Sequence, residues 1–570
     1  MAPVLDQRGH REPDARSGDG DRDAGENKGA ASGAPDWSAR AALATFVVYL
    51  VVAFFVLLLH FGEGHWFAGD EWGFLVGRSL SDPIGLLTPQ NQHWSTVPIV
   101  IYQVLYALFG LDSYLPYMGV TIALHLTLVA LLRVVMRRAG VGPWVATLVA
   151  SIFVLFGTGE QNILLGVQIS MVASMVFGLV QLVLADHDGA WNRRDWFGLA
   201  AGALAIMSSS IGIPMVVIVG IAVLIRRGWR AAALQTIPLG TLYVVWYVSQ
   251  RGVLSQSPTG SADVAGIAGW VGTASVAVLD GLTPHPAVAA LLVVIFVGGL
   301  ALAWLPFDRD RFRRTAAGPA ALLVGSLVLT VVIAFQRLAL IAFAGPDIPR
   351  SSRYIAMATA LALPALGVAT DAVVRRWRWS APLVAVVLLA GIPANIEAFS
   401  NAELFSTAEF QQSQRQFVLA VAASPLLREV PRDVRPDPLV YGPDLVTVGA
   451  VIDAVDQGKL QPATDVERAV RDKAEMRLRM SQSGFEAPLA TASDCTTYRE
   501  PLVFEPARGE RFVLDGGATL SLGRDDGKYG TPIAYGSATA GNVITAQFDG
   551  MRIRVTPPGG QQTFIWCEPL

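Results

Sequence analysis

The sequence predicts a polytopic α-helical membrane protein with a C-terminal α+β domain that ends in a small β-sandwich. Three observations predict it. The 570-residue chain is 52% hydrophobic and 16% charged, with mean hydropathy +0.45, whereas soluble globular proteins carry about 25% charged residues. Long uncharged runs recur between residues 41 and 396, with arginine clusters between them. Beyond residue 397 the runs shorten and charge alternates along the chain. A net charge of −3 gives no basic field for nucleic acid. Two cysteines exclude zinc-ribbon, iron–sulfur and disulfide-rich scaffolds.

Residues 1–40 are rich in Gly, Asp, Arg and Ala and cannot bury enough apolar surface to offset chain entropy. They read as a disordered tail. Residues 41–61 form an uncharged run of 21 residues, long enough to cross about 30 Å of hydrocarbon. No small-residue cleavage motif follows, so the run is a retained anchor. Further apolar stretches lie at 96–110, 114–132, 143–157, 163–185, 197–209, 211–225, 231–249, 267–282, 286–306, 317–343, 353–374 and 380–396.

Charge sorts these stretches. Arginines cluster at 133–138, 193–194, 226–230, 309–314 and 375–378, and the positive-inside rule puts all five clusters in the cytoplasm. With the tail inside, 41–61 exits and 114–132 must return to the first cluster. The stretch 96–110 therefore lies in the outer interface. The same parity removes 267–282, because 286–306 must run inward to the cluster at 309–314. Eleven spans of a membrane domain over 41–396 result. The N-terminus is inside and the domain over 397–570 is outside the plasma membrane. The break Ser208-Ser209-Ser210 joins the two shortest spans.

Within 397–570, the segment 448–482 has helical spacing, and β-like runs follow at 512–516, 518–523, 542–548, 551–560 and 563–568. Cys495 and Cys567 bracket the β region, and an oxidising compartment makes a disulfide between them the expectation.

Candidate chemistry gathers on the outer side. The first outer loop, 62–95, mixes carboxylates with aromatics. Asp70 and Glu71 are adjacent and point in different directions, so one can face a cavity while the other faces water. Such a carboxylate can act as a general base or hold a divalent metal, or simply be solvated. His93 either binds substrate or sits at headgroup level. Trp94, Tyr102 and Tyr106 suit an interfacial helix. Glu160, in a short outer turn, is a second acid on the same side, with Gln161, Asn162 and Gln168 nearby. Arg350, Arg353 and Tyr354 lie in a late outer loop, and Arg337 near the outer end of an apolar stretch. An intramembrane arginine is a functional candidate by default, and a guanidinium there can hold a lipid-linked phosphate bidentately or snorkel to the surface. His125 reads as an interhelical hydrogen-bonding residue. No P-loop, G-x-S-x-G, H-E-x-x-H, dinucleotide fingerprint or metal-spaced His/Cys cluster occurs.

The acidic motif Gly69-Asp70-Glu71-Trp72, the Trp94–Leu111 segment ending in Leu-Phe-Gly-Leu, and the Arg353-Tyr354 pair resemble the GT-C class of membrane glycosyltransferases, which use polyprenyl-phosphate sugars. The interfacial segment is similar to that of the protein-mannosyl and aminoarabinose transferases. The strings around Asp70, His93 and Glu160 resemble an actinobacterial branch related to arabinofuranosyl- and mannosyltransferases. The resemblance implies a GT-C-like membrane domain moving a sugar from a polyprenyl-phosphate donor to an envelope glycan, lipid or protein. In that reading Asp70 is the catalytic base with Glu71 as its alternative. Arg353 holds the donor phosphate, with Arg337, Arg350, His93, Gln161 and Tyr354 around the substrates. Glu160 assists acceptor or metal binding. No cofactor is certain; magnesium or manganese held by Asp70 and Glu160 is left open. Two further readings stay open: a lipid-linked glycan transporter or flippase, and a non-catalytic envelope-assembly scaffold. No internal repeat of the transporter kind is visible.

Overall fold

The computed structural model describes residues 37–570 apart from 255–263, 306–307, 342–344, 402–406, 437–445, 464, 484–491, 516–518, 525–532, 538–541, 550, 557–563 and 570. Most of the tail expected to be disordered, residues 1–36, lies outside the described residues.

Among the described residues, nine helices are long and apolar enough to cross a bilayer, and the chain is a polytopic helical membrane protein. The first, α1 (Trp37–Val56), continues through a π-helical turn to Phe61. Its Val47, Val51 and Phe55 are exposed, as lipid-facing side chains must be when the solvent is hydrocarbon. After a folded loop come α2 (Thr96–Phe109), α3 (Leu115–Arg138) and α4 (Pro143–Val154). An irregular stretch over 157–168 leads into α5 (Ile169–Ala185). Then follow α6 (Arg193–Ile206), α7 (Gly212–Arg227) and α8 (Trp229–Gln250). The bundle closes with α9 (Val264–Leu282), α10 (Pro286–Trp304), α11 (Ala317–Arg337) and α12 (Ser352–Arg376). A last apolar helical run covers Arg378–Asn401.

Helix α2 has 14 residues and begins beside Met207, whose carbonyl accepts the Val97 N–H (3.1 Å). It ends at Gly110, where Leu111 N–H reaches Lys459 O (2.6 Å). Helix α9, which the arginine parity takes out of the spans, has 19 residues and meets the length and composition of one. Its Trp270 packs at Tyr354 (6.4 Å between rings), and Gly281 abuts Ile355 of α12.

Two expected boundaries change. The stretch 143–157 stays helical only to Val154, about 18 Å of helix. The stretch 163–185 becomes continuous α-helix only at Ile169. Between them Gly157 touches the Asn395 carbonyl so closely that a Cβ has no room, and the backbone leaves the helix there. Glu160, Gln161, Asn162 and Gln168 in this stretch are buried, so it is no solvated turn. Non-helical backbone at this depth is tolerated when protein surrounds it.

After α12 the chain forms α13 (Ala408–Ala423), α14 (Val448–Asp456) and α15 (Arg468–Arg479). They share one apolar core with the first loop and the bundle. Trp66 N–H donates to Gln411 Oε1 (2.9 Å), and Gln461 N–H to Asp112 Oδ1 (3.0 Å). Among the described residues nine strands follow: β1 (Met480–Ser483), β2 (Ala492–Tyr498), β3 (Leu502–Phe504), β4 (Arg511–Asp515), β5 (Thr519–Arg524), β6 (Ile533–Ser537), β7 (Asn542–Ala546), β8 (Met551–Thr556) and β9 (Phe564–Pro569). They pair antiparallel in two sheets, ordered β1-β7-β4-β9-β2 and β3-β8-β5-β6. The register of β2 on β9 sets Cys495 directly opposite Cys567.

Candidate active site

The first loop is held by aromatic packing. Trp66, Phe67, Trp72 and Phe74 are all buried. Phe67 meets Tyr114 and Tyr117 edge-on (4.9 and 4.7 Å), and Phe74 meets Tyr102 (5.1 Å). This packing fixes the single turn Gly69–Glu71 and separates its two acids. Asp70 is exposed, whereas Glu71 is completely buried.

Glu71 accepts from the Tyr102 hydroxyl (2.5 Å), the Tyr114 hydroxyl (2.7 Å) and the Ala68 N–H (3.1 Å). Burial pushes its carboxyl up to about 7, against the opposing pull of these three donors. Tyr114 in turn accepts the Gly166 N–H (2.8 Å). A Cβ at Gly166 collides with both tyrosine hydroxyls and with Glu71 Oε1, so glycine is required there. Glu71 thus joins the first loop, α2, α3 and the 157–168 stretch.

That stretch also reaches the start of α12. Ser352 donates a short hydrogen bond to Glu160 Oε2. Gln161 N–H donates to Ser352 Oγ (3.3 Å), and Asn162 Nδ2 to the Arg353 carbonyl (3.0 Å). The Arg353 guanidinium lies over the buried Tyr354 ring (5.1 Å). Its Nε is buried and has no hydrogen-bond acceptor among the described residues. Arg337, in the last turn of α11, is half-buried. Among the described residues neither arginine forms an ion pair.

His93 is drawn into the same group. Asn91 and Gln92 adopt left-handed φ values of 47° and 66°, at a cost of roughly 1–3 kcal/mol for such backbone. The resulting turn pairs Gln90 with His93 and brings His93 Nδ1 within 2.7 Å of Ser210 Oγ. Burial, and after it the nearby charges of Arg337 and Arg353, hold the imidazole down to about 4. His93 is therefore neutral at physiological pH, in the positive field of two arginines.

The structure thus brings together His93, Glu160, Gln161, Arg337, Arg353 and Tyr354, and joins Glu71 to them through Gly166. Asp70 stands one residue from this network and faces water. Arg350 pairs with Asp280 (3.0 Å), and both are exposed to solvent. Among the described residues no group of three or more His, Cys, Asp or Glu is assembled. Asp70 faces outward, while Glu160 is buried on Ser352.

Sequence reasoning missed five participants. Tyr102 was expected only as an interfacial aromatic, and Tyr114, Gly166 and Ser352 carry no motif. Ser210 had a signal, the triple-serine break, but its partner lies 117 residues away. Beside the first loop, a cleft of about 800 Å³ opens between Trp72, Gln103 and Tyr106 on one side and Arg432, Asp453 and Gln457 on the other. Compared with known protein families and with curated proteins, the sequence matches none.

Proposed function

We propose that the chain is a GT-C-like membrane glycosyltransferase. It moves a sugar from a polyprenyl-phosphate donor to an envelope glycan, lipid or protein at the outer face of the plasma membrane. One observation carries the reading: Arg337 and Arg353 both lie close enough to His93 to act on its charge, neither forms an ion pair among the described residues, and among them the buried Arg353 Nε finds no acceptor. A buried donor without an acceptor is costly, and a phosphate oxygen supplies one. In this topology the arginine clusters face the cytoplasm. The domain over 397–570 lies outside, its two sheets closing as a sandwich stapled between Cys495 and Cys567.

The lipid-linked donor carries its own leaving group, so no nucleotide site is required. The acceptor hydroxyl attacks the anomeric carbon as the bond to the phosphate oxygen breaks. Asp70 takes the acceptor proton. Arg353 and Arg337 stabilise the charge that grows on the departing phosphate. Glu71 does not act as the base; with Tyr102 and Tyr114 it positions the loop that carries Asp70. The aromatic and amide-lined cleft beside Trp72 suits an acceptor sugar.

The test is transfer of radiolabel from polyprenyl-phosphate sugars, offered one at a time to the purified protein in membranes with an envelope-glycan acceptor. Asp70→Asn is expected to stop transfer while donor binding persists. Glu71→Gln keeps measurable transfer, because the amide oxygen can still accept from Tyr102 and Tyr114. Full transfer by Asp70→Asn removes Asp70 as base. Absence of transfer from every donor by folded wild-type protein overturns the reading in favour of transport or scaffolding.

A further inference from the structure

At the opposite end of the bundle a second cleft, of about 550 Å³, opens between the ends of α10 and α12, the short helix Arg309–Thr315 and the turn at Gly140. Its apolar wall includes Leu302, Ala303, Phe312 and Val368, with Trp304 edge-on to Phe312 (5.8 Å). Its polar rim holds Arg311, Arg375 and Arg376 against Asp308 and Asp371.

Both acids are already engaged. Asp371 pairs with Arg375 (2.5 Å) and accepts the Gly142 N–H (2.8 Å). Asp308 caps the short helix, accepting from Asp310 N–H (3.0 Å) and Arg311 N–H (3.4 Å). Arg311 and Arg376 form no ion pair among the described residues; Arg376 only overlies the Trp377 ring (5.5 Å). Two uncompensated guanidinia therefore stand at the mouth of an apolar slot. Around it Leu305, Trp377 and Trp379 are exposed by 77%, 40% and 74%. Exposed tryptophans beside arginines mark the level where hydrocarbon meets headgroups.

We propose that this cleft is a binding site for the phosphate of an anionic phospholipid, held by Arg311 and Arg376 with its acyl chains along Leu302 and Val368. A guanidinium forks onto phosphate oxygens, and basic recesses between membrane helices take such headgroups. The apolar wall selects a lipid over free phosphate. The proposal needs only the membrane embedding of the chain and stands apart from the transferase reading.

The experiment is native mass spectrometry of the purified full-length protein with phosphatidylglycerol, phosphatidylcholine or inorganic phosphate added separately. Wild type is expected to retain phosphatidylglycerol at least tenfold better than phosphatidylcholine. The Arg311→Gln/Arg376→Gln variant loses that preference while keeping its thermal unfolding midpoint. Arg230→Gln, which removes an exposed arginine outside the cleft, leaves the preference intact. Equal loss with Arg230→Gln overturns the site in favour of general surface attraction. An unchanged preference in the double variant overturns it outright. Inorganic phosphate that displaces the lipid makes it a free-phosphate site and overturns the lipid assignment.

Discussion

At the arginine-rich end of the bundle, basic groups close on acids: Arg227 on the fully buried Asp195 (2.5 Å), with His187 on the same carboxylate (3.1 Å), and Arg226 on Asp186 (2.8 Å). At the other end one exposed pair forms, Arg350 with Asp280. Glu71 is held by tyrosine hydroxyls and Glu160 by Ser352, while among the described residues Arg337 and Arg353 form no ion pair. The first arrangement locks α6, α7 and the loop between α5 and α6 together. The second leaves charge available to a ligand. The difference is one of pairing, visible without any motif. A paired buried charge stabilises against its own unpairing, whereas an unpaired buried donor is a cost that persists when something else uses it.

This contrast can be broken most severely at Arg227. Removing it as Arg227→Ala leaves the buried Asp195 with His187, Gln235 and the Asn192 N–H but without its arginine, a loss of up to about 3–5 kcal/mol, read as a large fall in thermal unfolding midpoint in detergent. Arg353→Gln breaks no ion pair and is expected to leave that midpoint in place while lowering transfer about 10²–10³-fold, the scale of losing one oriented donor to a developing anion. A midpoint that falls equally in both variants contradicts the contrast.

The next largest effect is at Gly166→Ala. The new methyl must displace Tyr102, Tyr114 or Glu71, an overpacking of about 1–3 kcal/mol. Protease nicking of the first loop should rise in that variant.

Acidity sharpens the comparison further. Glu71, raised to about 7 by burial, binds its proton more tightly in the folded chain. Its contribution is complete below about 4.5 and is lost as pH rises through about 7. His93, lowered to about 4 by burial and then by Arg337 and Arg353, contributes fully above 6.5 and loses that contribution as pH falls through 4. The two slopes oppose each other between about 4.5 and 6.5. Glu71→Gln is expected to flatten the alkaline decline in unfolding midpoint and leave the acidic one, and His93→Asn the reverse.

The smallest effect is expected at Arg350→Ala. Its pair with Asp280 is exposed on both sides, and such pairs contribute under about 1 kcal/mol. Donor binding should be unchanged, in contrast to Arg353→Gln.

Much of the fold was legible because hydropathy and arginine placement are properties of neighbouring residues. The uncharged run at 41–61 and the clusters at 133–138 and 375–378 point to a bundle whether or not its packing is known. The parity read from arginines alone left out 267–282, yet the helix Val264–Leu282 is long and apolar enough to cross a bilayer. The candidate site was legible only in part. Asp70, Glu71, His93 and Arg353 stood out as polar residues in apolar surroundings. Arg350 stood out equally, and the sequence does not show that Asp280 reaches it.

The sequence by itself determined that this chain must sit in a bilayer, where its long apolar runs lie and which of their ends carry basic charge. These follow from transfer free energies that sum along a segment. Tertiary structure alone decided that Glu71 is buried while Asp70 meets water, that Ser210 holds His93, and that Arg353 keeps an unused donor. Those outcomes depend on close packing between segments more than a hundred residues apart, where a single glycine or hydroxyl sets which polar atom finds a partner.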